Sequence, residues 1–151
     1  LSYFPQDASD VLIGDDTTCI DWLRQYIPEG ENYDEPELRS AMGRMLFKGE
    51  DVNKDINVLS GGEKARLIIS RMLLESGNAL FLDEPTNHLD LESIESLNYA
   101  LTQITNPIVF VSHDREFVTS LATRIIEVSH DAVIDFPGTL VEYEDWKKKQ
   151  K

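Results

Sequence analysis

The sequence has one cysteine, Cys19, so it can form no internal disulfide and offers no thiolate set for zinc. A reduced, cytoplasmic setting fits that usage. Long hydrophobic runs are also lacking. None approaches the roughly 20 residues needed to cross a bilayer, and no charged-then-apolar leader opens the chain. Basic residues are scarce: 14 Lys and Arg stand against 28 Asp and Glu, a net charge of -14 over 151 residues. The acidic groups are spread along the chain rather than gathered in a tail, which argues against a surface that wraps nucleic acid through counterion release. Repeats and low-complexity tracts are absent. What remains is ordinary globular composition, 41% hydrophobic and 28% charged, with enough chain for one domain and its core. The chain opens on the strand-like residues Leu1-Ser2-Tyr3-Phe4 rather than on Met, as if entered midway.

Residues 1–4 read as a strand ended by Pro5. A helix capped by Thr17 or Thr18 is expected to run to about Ile27, with Ile20, Leu23 and Ile27 on one face and Pro28 ending it. Asp34 followed by Glu37 is a capping pair for a second helix, which buries Leu38, Met42, Met45 and Leu46 and stops at Gly49. Residues 49–58 read as a polar connector. Beyond Leu59 the texture changes to short apolar strands (79–82, 108–111, 124–128, 132–136) between helices over about 62–75 and 91–104, after Asp114, and up to Trp146. That alternation predicts an α/β fold with a mostly parallel sheet, and residues 7–58 read as a helical subdomain.

Three stretches carry polar groups where ligands bind. Ser60 and Glu63 flank Gly61 and Gly62 at a helix start. This is a capping box, yet each glycine costs about 0.8–1 kcal/mol against alanine inside a helix. A serine hydroxyl with the exposed N–H groups of a helix start forms an anion site, and glycine admits a phosphate closely. Leu80-Phe81-Leu82-Asp83-Glu84-Pro85 is an apolar strand delivering two carboxylates to a sheet edge. Asp83 there would hold Mg²⁺ through water, and Glu84 would orient or deprotonate a water attacking phosphorus. Val109-Phe110-Val111-Ser112-His113-Asp114 ends another apolar strand in a histidine.

In this order and spacing the three stretches resemble the ABC ATPase cassette, a P-loop NTPase fold. Leu59–Glu63 is similar to the signature motif, Leu80–Glu84 to Walker B with the catalytic glutamate, Asn87–Asp90 to the D-loop, His113 to the switch histidine and Gln6 to the Q-loop glutamine. Glu84-Pro85-Thr86-Asn87-His88-Leu89-Asp90 and Leu59–Leu67 further resemble the ABC-F branch, soluble proteins with two cassettes on one chain, many of which act on ribosomes. Transporter cassettes more usually carry Ser-Ala in place of Asn87-His88. The C-terminal run Ile134–Trp146 also resembles the end of an ABC-F cassette, and Leu91–Leu101 with the run to Phe136 is most similar to the second, C-terminal cassette.

The resemblance implies a division into residues 1–6 (core strand and Q-loop), 7–58 (helical subdomain) and 59–151 (signature helix, Walker B, D-loop, switch histidine and terminal strands). It implies ATP with Mg²⁺ as ligands, Glu84 and His113 as catalytic residues, and Gln6, Ser60, Gly61, Gly62, Glu63, Asp83 and Asp90 as nucleotide-binding residues. The metal contacts would be Asp83 and Gln6, through water. Two cassettes would face head to tail, with Ser60, Gly61 and Gly62 completing the site of the opposite one. No Gly-x-x-x-x-Gly-Lys-[Ser/Thr] run occurs, so the phosphate loop is expected in a missing N-terminal half of the cassette. Without it the strand Ile108–Val111 is expected to be an unpaired apolar edge that rearranges or pairs with another molecule. Three functions follow: an ATPase fragment of an ABC-F protein, the ATP-binding subunit of a membrane transporter, and, for the isolated chain, a catalytically inert interaction module.

Overall fold

Apolar runs of three or four residues are too short to form a buried helix, and three short strands built around them pair as a parallel sheet. The computed structural model describes residues 2–4, 11–12, 16–75 and 78–150, so Gln6 lies outside the described residues. The elements in chain order are β1 (Ser2–Phe4), α1 (Cys19–Arg24), α2 (Glu35–Arg44), α3 (Gly61–Leu74), β2 (Leu80–Asp83), α4 (Leu91–Thr102), β3 (Ile108–Val111), α5 (Arg115–Leu121), β4 (Ile125–Val128), β5 (Val133–Phe136) and α6 (Leu140–Lys149). They form two compact units, residues 1–112 and 113–151.

In the first unit β2 lies between β1 and β3, with Ser2 opposite Leu80, Leu80 opposite Ile108, and Asp83 opposite Val111. One face of the sheet, carrying Ser2, Phe4, Leu80 and Leu82, is buried. The other bears a row across all three strands, Tyr3 (52% exposed), Phe81 (38%) and Val109 (52%), with Val111 (60%) beyond it. Parallel sheets are ordinarily covered on both faces. This one has a bare apolar face and, among the described residues, an edge at β3.

Helix α3 buries Ala65, Leu67, Ile68, Ile69, Met72 and Leu74, which makes it the core helix of the unit, and its other side carries Glu63, Lys64, Arg66 and Arg71. Its end is fixed to β1 by the Ser2 hydroxyl, which donates to Glu75 Oε2 at 2.6 Å. Helices α1 and α2 pack Trp22, Leu23, Leu38 and Met42 beside it. The capping box of Asp34 and Glu37 forms as the sequence predicts.

Two expectations change here. Helix α2 ends at Arg44, well before Gly49, and Leu46 just past its Met45 cap is left-handed with a φ of 65°. The Phe47 N–H reaches back to the Met42 carbonyl and the Leu46 N–H to that of Gly43, which is a Schellman close. Burial of Phe47 and Met42 offsets the cost of about 1–2 kcal/mol for a left-handed leucine. The stretch 49–58 is no polar connector: it forms two short 3₁₀ turns, Gly49–Asn53 and Ile56–Val58, that bury Val52 and Ile56. The Ile56 N–H donates to the Thr17 carbonyl, seating the stretch against the start of α1.

In the second unit β4 and β5 form an antiparallel hairpin. Phe136, Tyr143 and Trp146 pack together with ring centroids 5.5–5.9 Å apart. Glu127 takes the Tyr143 hydroxyl and the Lys147 ammonium, and Arg115 pairs with Glu144. Helix α6 runs one turn past Trp146, to Lys149.

Candidate nucleotide-binding site

Ser60 caps α3, and the predicted capping box is present. The Ser60 Oγ accepts from the Glu63 N–H at 3.3 Å, while Glu63 Oε2 accepts from the Ser60 N–H at 2.9 Å and from its hydroxyl at 2.8 Å. The Ser60 N–H, followed by the Lys54 ammonium, holds the Glu63 carboxyl below the usual carboxylate range. The first helical bond runs from the Lys64 N–H to the Ser60 carbonyl, so the amides of Gly61 and Gly62 precede the ladder and have no helical carbonyl to donate to.

The two glycines answer different demands. A Cβ on Gly61 would meet nothing within 4 Å, whereas one on Gly62 would lie 3.0 Å from the His88 carbonyl oxygen. Gly62 is therefore small so that another loop of the same chain can pass, an internal reason that the phosphate argument alone does not supply. Gly61 keeps an open face over the helix start, where an anion fits.

At the C-terminal end of β2, Asp83 is half-buried and Glu84 is 7% exposed. The Glu84 N–H donates to the Val111 carbonyl at 2.9 Å, which extends the sheet by one bond, and then the chain turns sharply with Glu84 at φ 46°. A non-glycine residue in that region costs about 1–2 kcal/mol. Glycine would take this conformation without that cost. The turn closes through Asn87 N–H to Glu84 O and Leu89 N–H to Thr86 O, with His88 again left-handed at φ 64°. The Thr86 and Ser112 hydroxyls lie 3.3 Å apart, linking this turn to the end of β3. Asp90 then caps α4 by accepting from the Ser93 N–H at 2.8 Å, and that bond lowers its pKa.

Ser60, Gly61, Gly62, Glu63, Asp83, Glu84 and Asp90 all belong to the first unit, and the Gly62–His88 contact joins the helix-start motif to the turn after β2. His113 is exposed and opens the second unit, directly before Asp114, which caps α5. Among the described residues no cluster of three His, Cys, Asp or Glu is placed to hold a metal. A lone half-buried carboxylate such as Asp83 suits Mg²⁺ that keeps water and phosphate oxygens as its ligands. Sequence reasoning missed the two left-handed residues, the role of the His88 carbonyl and the link from Lys54. Left-handed Glu and His have no composition signal.

Known proteins share this sequence and this fold. The family described as ABC transporter matches residues 4–87. The Probable ATP-binding protein YbiT of Escherichia coli O157:H7 is 48% identical over 95% of the chain. The Energy-dependent translational throttle protein EttA of Haemophilus influenzae is 40% identical over 78%, and the ABC transporter F family member 5 of Arabidopsis thaliana 35% over 91%. The chain spans only 26%, 21% and 19% of the lengths of these three relatives. Among solved structures, the complex of archaeal ribosomal stalk protein aP1 with the archaeal ribosome recycling factor aABCE1 superposes with a TM-score of 0.73 at 19% identity, over 91% of this chain and 27% of that one, which shows the fold. An ABC-type α/β sheet, a capped glycine pair at the start of its core helix and a strand ending in Asp83-Glu84 thus meet in one chain, and that chain belongs to the ABC transporter family, as part of an ATP-binding cassette of the ABC-F kind.

Proposed function

We propose that this chain is the signature-and-Walker-B part of a cassette that hydrolyses ATP in a longer polypeptide, using the closure of two cassettes to do work in translation. The observation that carries the reading is Glu84: a carboxylate buried at the end of the central strand and kept in a left-handed conformation that glycine would occupy at lower cost. Glu84 would orient the attacking water and take its proton. Asp83 would meet Mg²⁺ through water, and Mg²⁺ when bound supplies charge neutralisation at the phosphates. Gln6 and His113 would contact the nucleotide of the same cassette. The start of α3, with Ser60 and the Gly61 and Gly62 amides, would close on the phosphates of the nucleotide held by a second cassette, and Asp90 would stand at the same junction. Glu63 faces Ser60 and Lys54, which fits holding that start in shape.

The translational setting is supported by the likeness to EttA. A cytoplasmic location goes with it; among the described residues no helix is long and apolar enough to cross a membrane. The bare face of Tyr3, Phe81, Val109 and Val111, together with the edge at β3, supports a missing half of the same cassette as the partner that completes the fold. The chain carries no phosphate loop, so by itself it would bind and hydrolyse no ATP. The family's description as ABC transporter favours a second reading, the ATP-binding subunit of a membrane transporter. Sedimentation of the full-length protein with ribosomes supports translation, and co-purification with a membrane protein supports the transporter.

The test is Glu84→Gln in the full-length polypeptide. ATP binding should persist and the closed state should last longer, while turnover falls by about 10²–10⁴-fold, the usual contribution of a general base. Unchanged turnover would remove the role given to Glu84 and with it the reading.

A further inference from the structure

Lys54 lies in none of the motifs that resemble a nucleotide site, yet it touches one of them. It sits between the two 3₁₀ turns, and its peptide is pinned. Its carbonyl accepts from the Cys19 N–H at 2.9 Å and from the Cys19 thiol at 3.2 Å, at the first residue of α1. Its ammonium donates to Asp51 Oδ1 at 2.9 Å and to Glu63 Oε1 at 3.0 Å. The other Glu63 oxygen holds both the N–H and the hydroxyl of Ser60. A continuous chain of contacts therefore runs from the start of α1, through Lys54 and Glu63, to Ser60.

We propose that Lys54 is a positioning residue for the phosphate-facing start of α3: it neutralises and orients the Glu63 carboxylate that fixes the Ser60 hydroxyl, and it ties that hydroxyl to the helical lobe. The proposal rests on the reading of this helix start as a nucleotide-phosphate contact. Its physical core is a charge conflict. A carboxylate one turn into an anion-binding helix start repels a phosphate, and the sequence places Glu63 there. The ammonium on its far oxygen, also shared with Asp51, offsets part of that repulsion and leaves the near oxygen to hold Ser60. In agreement, Asp51 and then Glu63 raise the pKa of Lys54. An isolated exposed ion pair contributes little to folding, so the consequence is sought in nucleotide affinity rather than in stability.

The experiment is steady-state Mg-ATP hydrolysis by the full-length polypeptide with Lys54→Met, Lys54→Arg, Glu63→Gln and the Lys54→Met/Glu63→Gln pair, with thermal unfolding of each. Lys54→Met should raise KM for ATP about 3- to 5-fold with kcat within about twofold and an unchanged unfolding temperature, and Lys54→Arg should restore KM. In the Glu63→Gln background the carboxylate charge is gone, so Lys54→Met should add nothing. An unchanged KM in Lys54→Met overturns the proposal, as does an equal rise with and without Glu63. A joint loss of kcat and unfolding temperature that arginine does not rescue also overturns it, by assigning Lys54 a structural role. Absence of hydrolysis in the unsubstituted polypeptide overturns the nucleotide reading and this proposal with it, whereas hydrolysis indifferent to Lys54 overturns this proposal alone.

Discussion

The start of α3 and the end of β2 are both turns that present polar groups, and they are built in opposite ways. The start of α3 is relaxed. Ser60 and Glu63 satisfy one another, Gly61 faces open space, and Gly62 is small because the His88 peptide passes 3.0 Å from where its Cβ would be. The end of β2 is strained, with Glu84 buried and left-handed and His88 left-handed four residues later. A site that only binds can be assembled from unstrained capping chemistry. A site that must hold a charged group at one point over a sheet edge spends stability to do so.

The largest effect that would sharpen this contrast is the loss of turnover in Glu84→Gln, about 10²–10⁴-fold with binding retained. Next come the two glycines. Gly61→Ala meets no atom within 4 Å and should stabilise the fold by up to about 1 kcal/mol. Gly62→Ala should lose that gain against the His88 carbonyl and fall about 1 kcal/mol behind it in chemical denaturation. Equal stabilities would mean that the His88 loop yields freely and the two turns are not coupled. Removing the cap in Ser60→Ala should cost about 1 kcal/mol, read in the same denaturation series.

The smallest effect is in pH. Glu63 has its pKa lowered from 4.5 in the folded state, first by the Ser60 N–H and then by Lys54. Its contribution is therefore complete above the unfolded value and is lost as pH falls through the lowered folded value. As pH falls below the ordinary carboxylate range, the unsubstituted protein should lose more stability than Glu63→Gln. Parallel losses in the two would remove this contribution.

Much of this was legible in the sequence wherever a local pattern fixes local geometry. The capping pairs Ser60–Glu63 and Asp34–Glu37, the strand ending at Asp83 and the hairpin after Arg124 all form. The features that were not legible are those decided by packing between segments. Gly49 looked like the stop of α2, but the helix ends at Arg44, with left-handed Leu46 turning the chain so that Phe47 is buried. Val52 and Ile56 were hidden among charges in a stretch that reads as polar, yet both are buried where it bonds back to Thr17 and Thr18. Gly62 was read as room for phosphate, and the passing carbonyl belongs to a residue 26 positions on. Lys54 carries no motif at all.

The most direct test of the strained-turn account is Glu84→Gly in the full-length polypeptide, with unfolding and ATP turnover measured side by side. Glycine takes φ 46° without penalty. Stability should therefore stay level or rise by about 1 kcal/mol while turnover falls at least about 100-fold. A variant destabilised by about 2 kcal/mol or more, or one that still turns over ATP, would contradict the claim that the strain is kept for the chemistry of the Glu84 carboxylate.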